Sequence, residues 1–290
     1  MPHQSRASAI ELLPEPKDTI GPSGYFAQRT TKTRGLFVAA FFFTATPLLI
    51  GIQWLMEKLR LPGWGGVAVT YYRGLCWMLG IRIHIVGEPV RDRAVLFVSN
   101  HCSWADILAI GAVARIAFVS KIEVAKWPLV GTAARLQRTV FVDRSRRSQT
   151  GDSISEMAER LNSGVSVVLF AEGTSSDGNR VLPFRSALIG AVREAAAQSK
   201  GGMLIQPMSI CYTAISGIPM GRQHRPLVAW YGDTDFMPHI KKFLPRAAID
   251  VTISYGEPIA ADATTNRKVL AKQVEGAVRE LMNASVLGRR

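Results

Sequence analysis

The longest uninterrupted apolar stretch of the chain runs from Gly35 to Met56 and contains no charged residue. Its heart reads LFVAAFFFTATPLLIGIQWL. As a helix rising about 1.5 Å per residue, such a run covers a hydrocarbon core of about 30 Å. Arg29, Lys32 and Arg34 flank it on one side, and Glu57, Lys58 and Arg60 on the other. Basic residues at both ends leave its orientation open. A turn-like LPGWGG follows, then a second apolar run from Val67 to Ile81 broken only by Arg73. Two apolar helices joined by a Pro-Gly turn make a hairpin. Pro47, Gly51, Gln53 and Arg73 favour a hairpin lying in one leaflet over one that spans both. The same pattern also fits a pair of buried core helices.

Beyond the hairpin the pattern changes to short β-branched and aromatic runs. These are IRIHIVG at 81–87, AVLFVS at 94–99, IAFVS at 116–120, TVFVD at 139–143 and VSVVLFA at 165–171. MLIQPMSI at 203–210, PLVAWYG at 226–232 and AIDVTISYG at 248–256 continue the style. Helix-like segments at Trp104–Val113, Ser148–Asn162, Ser186–Gln198 and Thr265–Met282 lie between or after them. Strands alternating with helices predict an α/β fold with a largely parallel sheet flanked by helices. The expected organisation is a polar tail over 1–34, a membrane-associated hairpin over 35–81 and a catalytic domain over 82–290.

Composition adds two constraints. Lys and Arg exceed Asp and Glu by 13, which calls for an anionic partner: an anionic membrane surface, an acidic carrier protein or nucleic acid. No nucleic-acid module and no interleaving of basic with aromatic residues appears, so nucleic acid is set aside. Cys76, Cys102 and Cys211 are odd in number and widely spaced, which suggests neither a disulfide framework nor a zinc site. A reducing, cytosol-facing compartment fits that usage.

Three clusters could carry chemistry. Ser99-Asn100-His101-Cys102-Ser103-Trp104-Ala105-Asp106 follows a strand and opens a helix, a common place for a site in an α/β sheet. Five residues rotate about 140° beyond a full helical turn, so His101 and Asp106 meet only if His101 lies on the turn. The carboxylate could then hold one ring nitrogen and leave the other to take a proton from an alcohol. Equally, Ser103-x-x-Asp106 reads as a capping box, with Asp106 serving only the helix. Phe170–Gly178 also follows a strand and offers backbone N–H groups to an anion, with Glu172 able to face a hydroxyl. RTVFVDRSRR, from Arg138 to Arg147, ends a strand in guanidinium groups suited to phosphate, or to plain solvation. Lys121 and Arg185 are further anion contacts by position. His3, His84, His224 and His239 are scattered, and no metal set or nucleotide loop is recognisable.

Taken in order, Asn100-His101-x4-Asp106, Val142-Asp143-Arg144, Phe170-x-Glu172-Gly173-Thr174 and Gln206-Pro207 resemble the motifs of the glycerolipid acyltransferase family, over roughly residues 80–255. The resemblance implies that His101 is the general base on the acceptor hydroxyl and that Asp106 orients it. It implies that Arg144, Glu172, Gly173 and Thr174 contact the acceptor headgroup, with Lys121 and Arg185 beside them. The Pro-containing motif would shape the acyl-donor side. It also implies acyl-carrier-protein or coenzyme A thioesters as co-substrates, no metal or other cofactor, and the cytoplasmic face of a bacterial inner membrane.

One position departs from the pattern. The family commonly continues E-G-T-R, whereas this chain has Ser175 after Thr174. The missing guanidinium would remove a charge-assisted contact to an acceptor phosphate. The variant E-G-T-S-S-D-G, followed by N-x-V-L-P-F, resembles lyso-ornithine lipid acyltransferases, whose acceptor is the hydroxyl of a 3-hydroxyacyl amide. Lysophosphatidic acid stands first as the commonest family acceptor, and lyso-ornithine lipid is the alternative. Two rivals lie outside the family. A membrane-anchored basic binding protein would need no catalysis, and a lipid hydrolase would need a G-x-S-x-G that is missing.

Overall fold

The computed structural model describes residues 19–20, 32–61, 64–143, 150–198, 202–232, 234–244 and 248–288. Strands β1 (Thr19–Ile20), β2 (Ile81–Val86), β3 (Val95–Ser99), β4 (Ala117–Lys121), β5 (Val140–Val142), β6 (Val167–Phe170), β7 (Met203–Ile215), β8 (Ile218–Pro219), β9 (Ile249–Tyr255) and β10 (Ile259–Ala261) form one sheet. Its order is β1-β2-β9-β7-β3-β6-β4-β5, with β8 and β10 pairing on β7. The pairs β2–β9, β3–β7, β3–β6, β4–β6 and β4–β5 are parallel. β7 and β9 run antiparallel, so the sheet is mixed but mostly parallel.

Helices α1 (Lys32–Lys58), α2 (Trp64–Leu79), α3 (Ala105–Val113), α4 (Val130–Leu136), α5 (Thr150–Asn162), α6 (Ser186–Gln198), α7 (Phe236–Phe243) and α8 (Arg267–Val286) flank it. The central strands are apolar throughout because both their faces are covered. β3 shows the division. Val95 and Phe97 join a core with α2, α3 and α7, while Leu96 and Val98 join a core with α5, α6 and α8.

The two helices of the hairpin differ in how they bury their apolar side chains. α1 exposes Leu36, Phe37, Phe43, Leu48 and Trp54, and its stretch Arg34–Lys58 is long and apolar enough to cross a membrane. α2 instead turns Leu75, Cys76 and Leu79 into the core. It packs so closely on α3 that a Cβ on Gly111 would lie 2.4 Å from the Tyr72 ring. Arg73, the one charge in the second run, donates from Nε to the Ala112 carbonyl at 2.9 Å, near the C-terminal end of α3. A cation is favoured there.

One expectation is corrected. PLVAWYG is not a strand: Arg225–Leu227 form a 3-10 turn and the rest is irregular. Val228 and Ala229 in it are buried, so its apolar character reflects packing under a loop. Gln206-Pro207 lies inside β7, which runs on to Ile215. Within the segment expected as a tail, Thr19–Ile20 form β1, which pairs antiparallel with β2, and α1 begins at Lys32. Most of that segment lies outside the described residues.

Candidate active site

The site is built where β3 ends. Asn100 carries the strand pairing one residue further through its side chain. Its Nδ2 donates to the Ile210 carbonyl at 2.9 Å, and its Oδ1 accepts the Ile210 N–H at 3.0 Å. The chain then turns through His101, Cys102, Ser103 and Trp104 before α3 starts. Asp106, in the first turn of α3, is fully buried. Its Oδ2 accepts the N–H groups of Cys102 and Ser103 at 2.8 and 2.9 Å and also meets His101 Nδ1 at 2.8 Å. Its Oδ1 accepts the Tyr212 hydroxyl at 2.8 Å. The carboxylate holds the turn and the imidazole together, while the N-cap of α3 is Trp104 and has no side-chain capping bond.

An ionised carboxylate only accepts, so Nδ1 carries the proton and Nε2 presents a lone pair. Nε2 makes no hydrogen bond among the described residues. The ring stacks on Phe170 with centroids 4.1 Å apart, and the His101 side chain keeps 18% of its surface exposed. An imidazole held in this way can accept a proton from a hydroxyl that reaches it. The neighbouring thiol is placed differently. Cys102 is buried, its Sγ faces Asp106 Oδ1 at 3.8 Å, and burial together with Asp106 pushes its pKa well up. It is a poor candidate for a thiolate.

The second cluster closes over the first. The Ser176 N–H donates to the His101 carbonyl at 2.8 Å. Glu172 is buried, and its two oxygens accept the N–H groups of His101 at 3.0 Å and Leu182 at 2.8 Å. Burial pushes its carboxyl up to about 8, against the pull of those two N–H donors. Glu172 thus faces the backbone of both clusters, a different placement from the headgroup contact that the resemblance implies. Gly173 has φ +70°, and a Cβ there would lie 2.6 Å from Arg185 Nε, so glycine lets the guanidinium lie flat on the loop. Arg185 and Thr174 are exposed beside the site. Lys121, at the end of β4, places Nζ 5.7 Å from the Trp230 ring. Arg144 lies outside the described residues.

Gln206 is fully buried and works as a three-way tie. Its Oε1 accepts the Val90 N–H at 2.9 Å, and its Nε2 donates to the Glu88 and Gly256 carbonyls at 2.8 Å each.

The acyltransferase family model matches residues 82–211. The lyso-ornithine lipid O-acyltransferase of Brucella abortus is 45% identical over 258 residues, which is 88% of this chain and 96% of that protein. The chain belongs to the glycerolipid acyltransferase family. The lyso-ornithine lipid O-acyltransferase of Rhizobium meliloti is 41% identical over 88% of this chain and 86% of its own length. A 1-acyl-sn-glycerol-3-phosphate acyltransferase of Neisseria meningitidis is more distant: 34% identical over 43% of this chain and 50% of its own. The fold is shared with the crystal structure of the 1-acyl-sn-glycerophosphate acyltransferase PlsC from Thermotoga maritima. That match has a TM-score of 0.64 at 22% identity, and covers 89% of this chain and 95% of that one.

The protein is therefore an acyltransferase of lysolipids, and its lipid chemistry and apolar α1 together point to membrane association. Two residues of the candidate site escape the sequence. Tyr212 lies far along the chain in an apolar strand, where a tyrosine usually means packing. Trp230 sits in the segment misread as a strand. Its N–H donates to the Cys102 carbonyl at 2.7 Å, and its own carbonyl accepts the Ser175 hydroxyl at 2.5 Å. Ser175 thus ties the third motif to the loop above it.

Proposed function

We propose that this enzyme acylates the 3-hydroxyl of lyso-ornithine lipid, with His101 as general base and Asp106 as the group that orients it. The observation that carries the acceptor is the 45% identity to a lyso-ornithine lipid O-acyltransferase over nearly its whole length. Ser175 supports it, because it stands where a phosphate-binding arginine is common in the family. The earlier ranking, with lysophosphatidic acid first, is reversed on these grounds.

In the reaction, Nε2 of His101 takes the hydroxyl proton as the oxygen attacks the thioester carbonyl. A carbon–oxygen bond forms, the carbon–sulfur bond breaks, and the imidazolium returns the proton to the departing thiolate. Asp106 stabilises the imidazolium through Nδ1. General-base catalysis of this kind is worth about 10²–10⁴-fold. Atoms and charge balance with an acyl thioester as the co-substrate and no further cofactor. An acyl-carrier protein or coenzyme A would present that thioester. Both are anionic, which suits a chain with 13 excess positive charges. Lys121, Arg185 and Arg144 are the cations proposed to meet the headgroup carboxylate, at the cytoplasmic face of a bacterial inner membrane.

The test is an acceptor competition. Purified enzyme and labelled acyl-carrier thioester are given equal lyso-ornithine lipid and lysophosphatidic acid. The proposal expects labelled ornithine lipid to dominate. Predominant phosphatidic acid would overturn the assignment of the acceptor.

A further inference from the structure

Outside the first two helices and the turn that joins them, the large apolar side chains left exposed among the described residues are Ile218, Leu227, Tyr231, Met237, Val269 and Leu287. Four of these six stand between residues 218 and 237. Scattered surface apolar residues need no explanation, but a concentration in one segment does. This segment is also fastened to the site. Trp230 is held by Cys102 and Ser175, and Trp104 Nε1 donates to His239 Nδ1 on α7 at 3.0 Å.

The segment adjoins the lipid-facing helix as well. Leu244, just past α7, lies against the start of α1, where a Cβ on Gly35 would sit 3.6 Å from Leu244 Cδ1. The next two residues of α1, Leu36 and Phe37, are 70% and 68% exposed. α7 buries His239 and Phe243 on one face and leaves Met237, Lys241 and Lys242 exposed on the other. Apolar side chains mixed with lysines suit the headgroup zone of an anionic bilayer, where the ammonium groups meet lipid charge.

We propose that the exposed side chains of Ile218, Leu227, Tyr231, Met237, Lys241 and Lys242 form a second membrane contact, continuous with the outer face of α1, which seats the mouth of the site against an anionic bilayer. The inference rests on the membrane association of α1 and does not depend on which lysolipid is acylated. A contact fastened to Cys102, Trp104 and Ser175 shortens the path of a lipid hydroxyl to His101, because the acceptor need not leave the bilayer.

The three native cysteines are buried, so a single new thiol can be labelled selectively. Met237→Cys and, as a control on the exposed surface of α8, Lys272→Cys are each labelled with an environment-sensitive fluorophore in the full chain. Both are bound to vesicles of equal parts phosphatidylcholine and phosphatidylglycerol carrying nitroxide-labelled lipid. Stronger quenching at position 237 than at 272 is the expected result, and equal or weaker quenching overturns the proposal. A kinetic arm uses Leu227→Glu with Met237→Glu. Transfer to vesicle-borne lysolipid should fall about tenfold, the order expected for losing one buried apolar side chain. Transfer to a short-chain soluble acceptor should stay unchanged, and an equal fall on both acceptors overturns the membrane role. The quenching readout needs no turnover, so failure of the acylation proposal would show separately.

Discussion

Tyr212 and Asp106 are 106 residues apart in the chain and 2.8 Å apart in space, hydroxyl to carboxylate. Tyr212 occupies Oδ1, so Oδ2 is left for His101 and the two turn N–H groups. A carboxylate with every near position taken cannot rotate away from the imidazole without breaking several hydrogen bonds at once.

Tyr212→Phe removes only the hydroxyl. A hydrogen bond to a charged group is worth about 1.5–3 kcal/mol, so the turnover number should fall about tenfold or more. The KM for the acceptor should change little, because the tyrosine reaches the reaction only through Asp106. A loss carried by KM alone, or turnover within about twofold of wild type, would mean that Tyr212 does not position the catalytic pair.

Glu172 makes a prediction about pH and stability. Its folded pKa of about 8 lies above the ordinary value of 4.5. Between those two values the folded chain holds a proton that the unfolded chain has lost. The contribution to stability is complete below the unfolded value and is lost as pH rises through the folded one. One proton gives a slope of about 1.4 kcal/mol per pH unit. Glu172→Gln cannot titrate, and it turns an amide NH₂ toward a backbone N–H, so it should be less stable than wild type at low pH. The wild-type advantage in unfolding free energy should shrink with rising pH and level off above about pH 8. A difference independent of pH would contradict this.

Much of the fold was legible because it rests on local pattern. The strands around β3 and β6 are apolar on both faces and bounded by turns, and helix α6 was placed residue for residue from Ser186 to Gln198. Residues 226–232 misled because Val228 and Ala229 are buried by packing alone, which leaves the same composition as a strand. α4 and α7, at 7 and 8 residues, are too short for a helical period to stand out. In the site, the His101–Asp106 spacing and the ordered motifs were visible. The roles of Tyr212, Gln206 and Trp230 were not, because each acts through a partner far away in sequence. Glu172 was visible as a residue, but its turn toward the backbone was not.

Ser175→Arg tests how the third motif is held. Ser175 points at the Trp230 carbonyl, so an arginine there must break that tie before it can reach an acceptor. Transfer to lyso-ornithine lipid and to lysophosphatidic acid should both fall. A gain on lysophosphatidic acid would show that the tie is dispensable and that an arginine at 175 reaches the acceptor phosphate.

The central claim is that His101 takes the proton of the acceptor hydroxyl. The most direct measurement is acyl transfer from labelled acyl-carrier thioester to lyso-ornithine lipid by wild type and by His101→Ala, both bound to vesicles. A fall of at least about 10²-fold in the variant, with vesicle binding and thermal stability retained, is the predicted result. Turnover within a few-fold of wild type would contradict it.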